Sequence, residues 1–249
     1  MRFRLMMVLL ILLTLLIVPH LLMAARLHGY THWSQARWDS AGIIDARPAG
    51  QDEAVVQVYA ARAWGWKGVF AVHSWIVLKH AGSGAYDRYE VVGWGVGQGA
   101  PAVRKNRHAA ADGYWAGNRP ELLLDRRGPE VEVLVRQVEQ AIADYPYPAS
   151  YITWPGPNSN TFIAHIGRKV PALGLELPPT AVGKDFLDKG AFAASTPSGS
   201  GYQLSMFGVL GLSLSLEEGI ELHLLGLTLG LDPLDLAVKL PGLGRLSLR

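Results

Sequence analysis

Hydrophobic positions change texture several times along this chain, and each texture predicts a different element. Residues 5–18 form an uninterrupted apolar run behind Arg2 and Arg4, and after Pro19-His20 the run resumes over 21–25. Together the two pieces are about long enough to cross the roughly 30 Å hydrocarbon core of a bilayer. Residues 54–61 are rich in valine and carry Tyr59, which predicts a strand. Residues 69–79 predict a second strand, apolar on both faces in its middle and therefore central in its sheet. Gly82-Ser83-Gly84 then suits a hairpin connection, and 88–94 returns as a third strand.

Pro129 suits the first turn of a helix, and Val131, Leu134, Val135, Val138 and Ile142 follow at helical spacing to about Asp144. A second helix is predicted from about 159 to 170, with Phe162, Ile163, Ile166 and Val170 on one side. Between 175 and 201 the density of proline, glycine, serine and threonine predicts loop. Beyond it, Leu210, Leu212, Leu214 and Leu216 alternate with small or polar residues, as do Ile220, Leu222 and Leu224. Leu225 to Leu231 continue in the opposite phase. Period two argues for strands with one buried face, turned at Glu217-Glu218-Gly219 and bulged near Leu224-Leu225, so 204–231 reads as a β-hairpin region.

These elements divide the chain into a segment 1–26, a membrane anchor or a signal peptide, and one exported domain over 27–249. The fold class expected is α+β: an N-terminal transmembrane helix plus an antiparallel sheet packed against helices. A cleaved signal is the weaker reading, because Leu22 or Met23 would stand three residues before the cut. The expected location is a bacterial inner membrane, single-pass, with the C-terminal domain in the periplasm, although Arg26 and Arg37 compete with Arg2 and Arg4 for the inside. Tyr30, Trp33 and Trp38 then suit the membrane interface.

Composition narrows the chemistry. Apolar residues make up 49% and charged residues 18%, which is globular, and a net charge of +2 gives no footprint for nucleic acid. The partner expected is the membrane. With no cysteine there is no disulfide, no thiolate nucleophile and no thiolate metal site. His28 and His32 lack the intervening glutamate of a zincin helix, and Gly93, Gly95, Gly97 and Gly99 are not followed by the lysine of a phosphate loop. No cofactor is expected. The basic stretch 104–127 reads as a solvated loop, Lys184-Asp185 as a solvated pair, and His165 as lying on the polar side of its helix.

One constellation carries candidate chemistry. Trp154-Pro155-Gly156-Pro157 is followed at once by Asn158, Ser159 and Asn160, which places polar side chains at a helix start, where free N–H groups and the dipole favour negative charge. A nucleophile there is easier to ionise, but Asn158 or Ser159 reads first as a helix cap, worth on the order of 1 kcal/mol. His73 lies in the second strand, and a regular hairpin would let Glu90 share its face.

The runs Ala71-Val72-His73-Ser74-Trp75, Tyr89-Glu90-Val91-Val92-Gly93-Trp94-Gly95, Trp154 to Phe162 and Pro178 to Asp185 resemble an uncharacterised bacterial family, a domain of unknown function. More distantly, a histidine strand followed by Asn158-Ser159-Asn160-Thr161-Phe162 resembles the circularly permuted papain-like proteins of the NlpC and lecithin-retinol acyltransferase type, with serine in place of cysteine. That resemblance implies His73 as base, Ser159 as nucleophile, Glu90 as the third group, and Asn158 and Asn160 as binding residues. A serine cannot inherit a thiolate–imidazolium site unchanged, because its hydroxyl is far less acidic. The expectation is therefore a catalytically silent binding or scaffold domain of the cell envelope, with a serine-dependent amide or ester hydrolase or acyltransferase as the alternative.

Overall fold

The structure, a computed structural model, describes residues 2–26, 32–106 and 110–247. His28 and Tyr30 lie outside the described residues. Helix α1 (Arg2–Arg26) contains the apolar run and is long and apolar enough over Phe3–Arg26 to cross a membrane. A short helix α2 (Ile43–Ala46) precedes the first sheet.

That sheet is antiparallel, with strands β1 (Ala54–Arg62), β2 (Val72–Lys79), β3 (Asp87–Val91), β4 (Val103–Lys105) and β5 (Glu121–Gly128) in the order β4-β3-β2-β1-β5. Strand β1 is buried over eight of its nine residues, so it needs a neighbour on each side, and β2 and β5 supply them. Strand β2 begins at Val72 rather than Val69, because Gly65–Val69 tightens into a 3₁₀ turn. The stretch 104–127 is not a solvated loop: it contains β5, whose alternation is disguised by charge. Arg127 folds back on Asp125 at 2.7 Å, and Arg126 donates to the Leu173 carbonyl at 2.9 Å.

Helices α3 (Glu132–Ala143) and α4 (Ser159–Lys169) pack on one face of this sheet. Val135, Val138, Phe162, Ile163 and Ile166 bury themselves there against Val56, Val58, Ile76 and Leu78. The opposite face carries a smaller aromatic cluster around Tyr59, Trp75 and Trp115. His165 is buried, not on a polar side: its Nδ1 meets Asp188 and its Nε2 lies 3.2 Å from the Ala141 carbonyl. Gly167 explains how closely the next loop approaches α4, since a Cβ there would stand 2.5 Å from the Pro197 carbonyl oxygen.

The remainder is a second antiparallel sheet, a meander of β6 (Ala193–Ser195), β7 (Gly201–Met206), β8 (Leu210–Ser215), β9 (Gly219–Leu224), β10 (Leu227–Asp232), β11 (Ala237–Leu240) and β12 (Gly244–Ser247). The alternating tail is strand, as its period predicts, but it forms a seven-stranded sheet and not a single hairpin. The phase shift at Leu224-Leu225 is a turn and not a bulge: Leu225 and Gly226 take φ of 53° and 80°, and Leu224 pairs directly with Leu227. Lys184 and Asp185 are buried rather than solvated. Lys184 pairs with Glu221 of β9 at 2.8 Å, and Lys239 of β11 reaches the same carboxylate at 2.9 Å.

Candidate functional site

Side chains alternate across a strand, and this decides where each candidate residue points. In β2, Val72 and Ser74 meet the start of α4: Ser74 Oγ donates to Asn160 Oδ1 at 2.8 Å, and Asn160 Nδ2 donates to the Val72 carbonyl at 3.0 Å. His73 therefore belongs to the other face, with Trp75. Because Trp75 pairs with Glu90 in β3, Glu90 shares that face.

There His73 Nε2 lies 2.8 Å from Glu90 Oε2, and Arg88 Nη2 reaches the same oxygen at 3.0 Å. The His73 ring stacks on Trp115 with 3.5 Å between centroids and 9° between planes. The guanidinium of Arg88 lies over Trp75, 4.0 Å from its ring centre. Burial alone would raise the Glu90 carboxyl, but the His73 hydrogen bond and the Arg88 charge outweigh it and hold it at about 2. Burial lowers His73, with Glu90 opposing it only in part. The pair is therefore a neutral imidazole beside an ionised carboxylate. Nε2–H donates to Glu90, and Nδ1 is left as an acceptor with no hydrogen bond among the described residues.

The α4 start is built by its asparagines. Asn158 is the N-cap, its Oδ1 accepting from Asn160 N–H at 2.9 Å and Thr161 N–H at 3.0 Å, and Thr161 completes a capping box. Its Nδ2 donates to the Thr153 and Val182 carbonyls. Asn160 spends its side chain on Ser74, Val72 and Val182. Both asparagines thus have structural partners for their side-chain donors and acceptors. Ser159 differs: its carbonyl accepts from Ser74 at 3.3 Å, while its Oγ makes no hydrogen bond among the described residues.

His73, Asn158, Ser159 and Asn160 all line one cavity of about 590 Å³, which wraps around the beginning of β2. No hydrogen bond joins His73 to Ser159, and Ser74 occupies the place across from α4. Six of the eight tryptophans wall the cavity: Trp33, Trp64, Trp66, Trp94, Trp115 and Trp154. Trp33 sits edge-on to Trp64 at 5.2 Å and to Trp94 at 4.6 Å, so it joins this wall. Trp38 packs on it at 4.5 Å. The glycine run has a packing role here. A Cβ on Gly93 would stand 2.6 Å from the Tyr151 ring, itself a cavity wall.

Sequence reading missed this wall because its members come from separate loops and strand ends, with no shared period. The signal available was the number of tryptophans itself. Arg88 was also missed, standing as one charge at the start of the third predicted strand. Among the described residues no group of histidine, aspartate and glutamate is arranged to hold a metal ion.

A family model described as "Protein of unknown function (DUF3750)" matches residues 53–186. The chain belongs to this family. The DUF3750 match takes in the first sheet, both packed helices and the His73, Glu90 and Ser159 positions, while α1 and the second sheet lie outside it. No curated protein and no solved structure matches the chain.

Proposed function

We propose that this DUF3750 chain is a membrane-anchored, catalytically silent binding domain that takes up an apolar molecule bearing a hydrogen-bond donor. In this reading α1 spans the inner membrane of a bacterium, and the domain stands on the periplasmic side. The observation that carries the binding function is the cavity: six tryptophans around one neutral histidine whose tautomer is fixed by Glu90. Apolar walls with few convergent polar groups are what small-molecule sites have in common. Aromatic walls give affinity for an apolar body, and His73 Nδ1 accepts from a hydroxyl or amide on it.

The order of a histidine strand, an acidic strand and a helix opened by Ser159 supports descent from a permuted papain-like ancestor that lost its thiol. The test uses the full-length protein in lipid nanodiscs, with empty nanodiscs as the blank. Tryptophan emission is followed while 1-decanol or decyl methyl ether is added. A hydrogen bond worth about 0.5–1.5 kcal/mol corresponds to roughly a two- to tenfold preference for the alcohol. His73→Ala should abolish that preference while keeping affinity for the ether. Equal binding of both probes to wild type would remove His73 from the reading, and no change in emission with either would remove the cavity.

The hydrolase reading draws on one observation, that Ser159 Oγ and His73 Nδ1 line the same cavity and have no hydrogen-bond partner among the described residues. Against it stands the alternation of β2, which turns His73 away from the α4 face. The expected result with a fluorophosphonate probe is no labelling of wild type. Labelling lost in Ser159→Ala and in His73→Ala would restore the enzyme.

A further inference from the structure

The second sheet is inverted. A half-buried antiparallel sheet ordinarily turns its apolar residues inward and its polar residues to water. Here the inward positions of β7 to β11 include Gln203, Ser213, Glu221, His223 and Lys239, all buried. The outward positions are tyrosine, leucine, methionine, isoleucine and valine, with no charged side chain among the described residues. The register aligns them in rows: Leu204, Leu212, Leu222 and Leu229 lie side by side, as do Leu214, Ile220, Leu231 and Val238.

Five strands at about 4.8 Å spacing and about 17 Å length give roughly 400 Å² of apolar face in projection. Phe207, Leu216, Leu225 and Leu234 are also exposed, in the turns between strands. The largest apolar patch on a typical monomer is about 300–600 Å² and is often functional. Backbone groups in the interior strands are already paired, so such a face can enter an apolar medium at little polar cost.

We infer that this leucine face lies on the lipid bilayer, so that the protein is held by α1 and by a second, monotopic contact. The inference rests on the reading of α1 as a membrane span. Its position singles out the bilayer over other occupants. His20 and Met23 of α1 are buried against the domain, whereas Leu5, Leu10 and Ile17 are exposed along the helix. α1 touches β10 and β11, and Gly242 in the turn after β11 approaches so closely that a Cβ there would stand 2.7 Å from the His20 ring. The sheet is thus tied to α1 near the C-terminal end of its apolar span, Phe3–Arg26. A bare leucine face held at that level meets lipid first. Phe70, which lines the cavity, also packs on His20, tilted, with 4.6 Å between ring centroids, so the cavity stands at the same level.

The chain has no cysteine, so a single label can be placed cleanly. Full-length Leu212→Cys and Leu222→Cys are labelled with bimane and reconstituted into phosphatidylcholine–phosphatidylglycerol vesicles with or without brominated phosphatidylcholine. Leu10→Cys reports α1, and Val133→Cys, exposed on α3, reports a face expected in water. Loss of most of the emission in Leu212→Cys and Leu222→Cys, as in Leu10→Cys, with none lost in Val133→Cys, is the expected result. Quenching in Leu10→Cys alone would overturn the docked sheet and leave the anchor standing. No quenching anywhere would remove the anchor and the inference together. If unlabelled Leu222→Cys instead forms an intermolecular disulfide on mild oxidation and its bimane form stays bright, a second copy covers the face and the inference fails.

Discussion

At the scale of single residues, the chemistry near the cavity is set by one buried carboxylate. Glu90 is shared by His73 and Arg88, so Glu90→Gln would leave a buried guanidinium without its counter-ion. Breaking a buried pair from one side costs about 3–5 kcal/mol. Chemical denaturation of the full-length protein in detergent, followed by tryptophan fluorescence, should show a loss of that order. The pH dependence follows from the same carboxylate. Its folded value, about 2, lies below the ordinary glutamate range near 4.3, so its contribution is present above that range and is lost as pH falls from about 4.3 toward 2. Melting temperature should decline across that window, and less steeply in Glu90→Gln. Gly93→Ala tests packing instead. Its methyl group would press into Tyr151, and a cost of about 1–3 kcal/mol is expected from the same denaturation assay.

Among the elements, α4 is where local and tertiary roles separate. The sequence leaves the cap between Asn158 and Ser159, and the structure gives it to Asn158. Asn158→Ala should therefore cost about 1–2 kcal/mol. Ser159→Ala removes an Oγ with no hydrogen-bond partner among the described residues, and should stay within about 0.5 kcal/mol of wild type. Asn160→Ala should exceed Ser159→Ala, because it removes the side chain that ties α4 to β2 and to Val182. Parallel unfolding curves of the three variants decide this order, and a Ser159→Ala loss as large as that of Asn158→Ala would contradict the assignment.

Across the whole molecule, buried ion pairs help join the second sheet to the family domain. Glu221 of β9 sits between Lys184 and Lys239; burial would raise its carboxyl, but the two lysines hold it at about 2. Glu221→Gln should loosen this layer by about 3–5 kcal/mol, since two buried ammonium groups lose their common partner. Limited proteolysis should then cut in the 193–247 region before the 53–186 region. The topology has its own test. A C-terminal alkaline phosphatase fusion should be active and should stay with membranes through carbonate extraction. Activity only from a cytoplasmic reporter would reverse the orientation.

What the sequence determined by itself is what local period and local sterics can carry. The apolar run of α1, the strands β1 and β2, both packed helices, the cap region and the β-character of the tail all follow from residues adjacent in the chain. The tertiary structure decided everything that depends on which face meets what. Period two announced strands in the tail, but only the lysines and glutamates converging from 176, 184, 221 and 239 show that the polar face is the inner one. His73, Glu90 and Ser159 were each legible as candidates. One residue of strand phase then joined His73 to Glu90 and gave Ser74 to the α4 start, because β-pairing fixes faces across the sheet and no local pattern fixes the pairing. The tryptophan wall needed the fold entirely, since its side chains meet in space from positions as far apart as 33 and 154.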